Sequence, residues 1–237
     1  AYHSDDLRSN SSATKSATSR AFTPPAGAYV GRDACAACHA KEGSEWRGWD
    51  PDLGRQVAAE KSVLGDFGDS KFTYGGTTST FSRRDGKFYV NTDGPDGKLA
   101  DYEIKYTFGV RPLQQYLIEF PDGRLQALGI AWDSRPKKEG GERWYHLYPD
   151  PPLKAGDPLH WTGLQQNWNF QCAECHSTHL RKGYDAANGT FDTQWAQLNV
   201  ACEACHGPGS RHAEWAKAPN ASPYKDASKG LVVALGE

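Results

Sequence analysis

Three short runs, CAACH, CAECH and CEACH, place Cys35, Cys38 and His39, then Cys172, Cys175 and His176, then Cys202, Cys205 and His206 in one repeated pattern. Together they use all 6 cysteines of the chain. Two thiols three positions apart can each add to a vinyl group of one haem, and the adjacent His then meets the iron as its proximal ligand. Structural zinc could be held by the two later cysteine pairs, but that leaves Cys35 and Cys38 unused and gives no reason for a His after every pair. A disulfide framework or a redox C-x-x-C fails on the same His. The pattern predicts three covalently attached haem c groups, with His39, His176 and His206 as the proximal ligands.

Each iron has a second axial position. Met is absent, so Met ligation is excluded, and the 8 histidines less the three proximal ones leave His3, His146, His160, His179 and His212 as candidates. His179 lies one helical turn beyond proximal His176 and projects from the same side, so it cannot reach the far face of its own haem. That favours a second haem packed close by. His212 follows a Gly-Pro-Gly break in CHGPGSRH, where the chain can reverse and the ring leaves in a new direction. His146 in RWYHLYP and His160 in DPLHWTG sit among aromatics that could wall a haem, although such a His is often a packing residue.

Composition narrows the class. A net charge of -2 with scattered Lys and Arg gives no nucleic-acid signature, and no window approaches the roughly 18 apolar residues of a membrane span. A first residue Ala and the lack of Met fit a chain whose signal peptide has been removed. Thioether attachment requires reduced thiols to meet haem outside the cytoplasm, so the protein is expected to be exported, to the cell exterior or to the periplasm.

The elements that position these residues follow in order. Residues 1–27 are rich in Ser, Thr and Ala and cannot build a core, so they are expected to be ordered only against another protein surface, such as a second copy of this chain. Residues 28–69 hold the first motif and a helical run. Residues 70–150 are β-branched and aromatic, punctuated by RDGK, DGPDGK and PDGR, and read as an inserted antiparallel meander. Residues 151–217 carry the second and third motifs, and 218–237 form a C-terminal tail. With hydrophobic residues at 38%, Gly 25 and Pro 14, the expected fold class is mixed and low in regular secondary structure. Its core would be organised by haem, with short helices around the C-x-x-C-H motifs.

With YVGRDACAACH, NWNFQCAECHSTHL and VACEACHGPGSRH, the chain resembles multihaem c-type cytochromes, and more narrowly the group related to the nitrifier tetrahaem electron carriers. The resemblance spans residues 28–217. It implies that His179 and His212 act as distal ligands to haems other than their own. The design also resembles extracellular cytochrome filaments, in which a near-terminal His of one subunit completes a haem in the next, a role that would suit His3. The expectation is an electron-transfer protein, not an enzyme, with closely packed bis-His haems. It would self-associate into a homopolymer through its N-terminal tail and exchange electrons with other redox proteins or extracellular acceptors. A discrete periplasmic carrier and a multihaem reductase of small nitrogen or sulfur compounds are the alternatives.

Overall fold

The computed structural model describes residues 27–233. The tail at 1–26, with His3 in it, therefore lies outside the described residues. The chain opens with three short helices, α1 (Arg32–Ala36), α2 (Ala40–Trp46) and α3 (Asp50–Leu53). None of the three contributes a buried residue. They are surface turns around the first motif and do not form a helical core.

The core belongs to a sheet. Strands β1 (Arg55–Val57), β2 (Ser70–Tyr74), β3 (Thr77–Arg84), β4 (Lys87–Asp93), β5 (Leu99–Phe108), β6 (Leu113–Glu119), β7 (Leu125–Ala127), β8 (Ile130–Asp133) and β9 (Arg143–His146) follow in chain order. Among the described residues these nine run in the order β2-β3-β4-β5-β6-β8-β9, with β1 on β5 and β7 on β6. All the pairs are antiparallel. The two ends of the path come back together, since Tyr74 of β2 stacks on His146 of β9 at 3.6 Å. Trp144 Nε1 also donates to Ser70 Oγ across that seam at 2.9 Å. The result is a nearly closed barrel.

The expectation of a haem-organised core with a subordinate meander is thus overturned. The physical reason lies in which side chains fill the interior. β4 alternates buried and half-buried positions, so Phe88, Val90 and Thr92 face inward, and Phe81 of β3 does the same. Trp144 stacks on Phe81 at 3.6 Å, and Phe67 meets Phe81, Phe88, Tyr116 and Trp144 edge to face. Aromatic rings bury large areas each, so a chain with modest aliphatic content still fills a barrel.

Turn chemistry fixes the register of its hairpins. Asp85 and Gly86 join β3 to β4 with φ of 51° and 73°, the two left-handed residues of a tight primed turn. β5 is bent where its register shifts between Ile104 and Tyr106, so its first half pairs with β4 and its second with β6 and β1.

Beyond the barrel come α4 (Trp168–Gln171), the small hairpin β10 (Tyr184–Asp185) and β11 (Thr190–Phe191), α5 (Cys202–His206) and α6 (Ser210–Lys217). No helix of the described residues is long and apolar enough to cross a membrane. Replacing Trp144 with Ala removes the ring shared by the seam and the aromatic core. A loss of about 4 kcal/mol is expected in urea unfolding, and a loss below about 1 kcal/mol would contradict this packing.

Candidate haem-binding site

All six cysteines are free, and the three motifs present them alike: Cys35, Cys172 and Cys202 are half-buried, while Cys38, Cys175 and Cys205 are exposed. Each motif is a single helical turn. The backbone N–H of His39 donates to Cys35 O at 2.9 Å, that of His176 donates to Cys172 O at 3.2 Å, and the third motif is α5 itself. Such a turn brings the first cysteine and the histidine to one side, as attachment and ligation of one haem require.

The barrel holds the second motif. Asn167 caps α4 by accepting from Phe170 N at 3.1 Å, and α4 delivers the chain to Cys172. Ala173 and Trp168 are buried against Leu117, Leu125 and Ala127 of β6 and β7. His176 meets Phe108 of β5 edge to face at 4.7 Å. Burial, then the nearby Arg55 cation, holds its imidazole below the usual range.

Arg55 of β1 is fully buried between Trp168 and Trp195, with its guanidinium carbon 4.1 Å from each ring centre. Its Nε donates to Leu198 O at 2.8 Å and its Nη2 to Ser177 Oγ at 3.3 Å. Burial lowers the guanidinium to about 9, which leaves it charged at neutral pH. One side chain carried by the barrel thus bonds to the residue after the second motif and to the approach to the third.

The third motif is tied in turn to the other two. Thr178 Oγ1 donates to Asn199 O at 2.8 Å and accepts from Ala201 N at 3.0 Å. Asn199 donates to Asp52 Oδ1 at 3.0 Å, and Asp52 pairs with Arg32 of α1 at 2.9 Å. Burial, then Cys202 and Glu203, pushes the Cys35 thiol up to about 11.

The spare histidines divide. His212 on α6 faces proximal His39 with ring centres 6.1 Å apart and planes 27° apart. Its Nδ1 lies 3.0 Å from Lys229 O, the backbone bond that leaves Nε2 as the bare nitrogen of a ligand. Two imidazoles bonded at about 2 Å to opposite sides of one metal hold their ring centres about 6 Å apart, which is the spacing of this pair. His179 does not continue a helical turn from His176: it adopts a left-handed φ of 53° and stacks on Tyr29, in the segment that leads into the first motif, at 4.2 Å.

His146 and His160 stand elsewhere, lining a cavity of about 30 Å³ at the barrel seam with Tyr74, Asp93 and Trp161. His160 is buried with Nε2 3.1 Å from Asp93 Oδ2 and Nδ1 2.8 Å from Thr162 Oγ1, so both nitrogens are engaged within the protein. His146 accepts from Tyr148 N through Nδ1 at 3.1 Å and lies flat on Tyr74. The structure does not bring these two rings to a cysteine motif. Sequence reasoning missed Arg55, Thr178 and Glu203. Only Glu203 left a signal, as an acid inside a cysteine pair.

Residues 159–207 match the family described as Cytochrome c554 and c-prime. That stretch is less than half of the chain but contains the second and third motifs entire. With the repeated motif, it supports a multihaem c-type cytochrome with covalently bound haem and an electron-transfer role. Among solved structures, the chain is similar to the undecahaem cytochrome from the S-layer of Carboxydothermus ferrireducens, at 20% identity and a TM-score of 0.43. The likeness covers 82% of this chain and 22% of that one, so the chain spans about a fifth of that protein's length. At that level it carries no argument. No curated protein matches the chain.

Replacing Arg55 with Ala opens the space between the two indoles and removes the donors to Leu198 and Ser177. A loss on the order of 3 kcal/mol in chemical denaturation is expected, and an unchanged midpoint would contradict the role given to this side chain.

Proposed function

We propose that this chain is an exported three-haem c-type cytochrome that transfers electrons between closely packed, bis-His haems and binds no substrate at iron. The observation that carries this reading is the His39–His212 pair, two rings from different motifs held at the spacing of one axial set. The residues fit the group: Cys35 with Cys38, Cys172 with Cys175, and Cys202 with Cys205 would hold three haems, and His39, His176 and His206 would be their proximal ligands. Haem iron, when bound, supplies a one-electron couple, with bis-His ligation favouring exchange of electrons over binding of a small molecule. His212 would serve the haem of the first motif and His179 a haem other than its own. The ties among Thr178, Asn199, Asp52 and Arg32 keep the three motifs adjacent, which short electron-transfer distances need.

Location and assembly belong to the same proposal. Thioether attachment supports export, and we place the protein at the cell exterior. There it would form a homopolymer through its N-terminal tail, with His3 completing a haem of the next copy and with other redox proteins or extracellular acceptors as its partners. Negative-stain microscopy of the native preparation is expected to show filaments that His3→Ala abolishes; discrete particles throughout would contradict the homopolymer.

The electron-transfer reading predicts an oxidised protein whose electron paramagnetic resonance spectrum is wholly low-spin, and a reduced protein that does not bind carbon monoxide. His212→Ala should open one haem in three, giving a high-spin signal and carbon monoxide binding. High-spin iron in the unaltered protein, with optical changes on adding small ligands, would contradict it and favour a reductase.

A further inference from the structure

Glu203 occupies a position inside the third motif that haem attachment leaves unspecified. Its side chain is nonetheless buried, at 2% exposure. Oε1 accepts from the backbone N–H of Val30 at 2.9 Å and of Gly209 at 2.8 Å, and Oε2 accepts from that of Gly31 at 2.8 Å. Three backbone donors, two from the distant segment before α1 and one from the turn before α6, therefore converge on one carboxylate. Among the described residues it forms no ion pair with a Lys or Arg. Backbone N–H groups alone satisfy it, as for an anion held in a nest.

What those two segments carry gives the contact its meaning. Gly31, with φ of 83°, precedes α1, which leads through Cys35 to His39. Gly209 precedes α6, which bears His212. The surroundings leave little slack, because a Cβ on Gly209 would stand 3.2 Å from Val30 Cγ2 and 3.3 Å from Glu203 Oε1. Beside the carboxylate, Ala28 N donates to Ser210 Oγ at 2.8 Å and Ser210 N to Ala28 O at 3.1 Å. The two chain segments that deliver the facing imidazoles are thus clamped at their bases by one residue, which itself sits between the cysteines of a third segment.

We propose that Glu203 is a positioning residue for the axial pair His39 and His212. It sets the separation of the two rings while touching neither, and so determines whether the iron of the first motif is six-coordinate. It also fixes that pair relative to the third motif, because the carboxylate and the thiols of Cys202 and Cys205 share α5. This inference rests on the three-haem reading above.

The test uses the holoprotein with Glu203→Ala, which removes all three acceptors, and Glu203→Gln, whose amide keeps one acceptor oxygen in the same shape. Covalent haem is counted by mass in each, and the reduced proteins are titrated with carbon monoxide. In Glu203→Ala with three haems, binding of one carbon monoxide per chain is expected where the unaltered protein binds none, with a smaller fraction in Glu203→Gln. The double variant with His212→Ala should still bind only one, since both changes open the same iron. A Glu203→Ala protein that keeps three haems and stays wholly low-spin would overturn the proposal, as would two carbon monoxide molecules in the double variant. If Glu203→Ala loses haem while Glu203→Gln is wholly low-spin, the proposal is likewise overturned. Fewer than three haems in the unaltered protein would instead refute the reading on which it rests.

Discussion

A guanidinium held between two indole faces joins the two halves of this molecule. Arg55 leaves the barrel at β1, lies between Trp168 and Trp195, and donates to the chain just after the second motif and just before the third. A buried cation is costly, and Arg55 Nη1 has no hydrogen-bond partner among the described residues, so the bonds from Nε and Nη2 and the two rings over its faces offset only part of that cost. Here the rings come from opposite sides of the second motif, one preceding it and one following it. The barrel can therefore orient the second cysteine motif, whose Ala173 is buried in the apolar cluster on β6 and β7.

From that anchor the constraints pass outward through polar contacts. Thr178 and Asn199 carry position from the second motif to the third, and Asp52 with Arg32 carries it to the first. Hydrogen bonds suit this task because each fixes a distance and a direction, whereas apolar contact fixes neither closely. The helices bearing the motifs are short and expose most of their side chains. Their geometry follows from what holds them, with little help from intrinsic helix stability.

The cysteine motifs were legible in the sequence because spacing alone encodes them: three CxxCH runs leave no cysteine over. The turn at Asp85 and Gly86 was legible too, since the left-handed conformation needs those residue types. The architecture was misjudged. The strand KFYVNT was recognisable by itself, whereas LQALGIAW is the two strands β7 and β8, and the closure of β2 on β9 is a contact between residues far apart, seen in Tyr74 with His146 and in Ser70 with Trp144. Low aliphatic content suggested the lack of a protein core, yet Phe67, Phe81, Trp132 and Trp144 supply one. The bond of His160 to Asp93 is likewise long-range, and no local pattern announces it. Glu203 was passed over because the positions between the two cysteines are free in the motif that drew attention to them.

Electron transfer through this chain requires that each C-x-x-C-H turn carry its own thioether-bound haem. Mass spectrometry of the native protein under denaturing conditions, followed by mapping of its proteolytic peptides, tests that requirement most directly. The expected result is an intact mass raised by three haems, with one on each of the peptides containing Cys35, Cys172 and Cys202. An unmodified chain, or one in which metal leaves on denaturation with all six thiols free to alkylate, would contradict it.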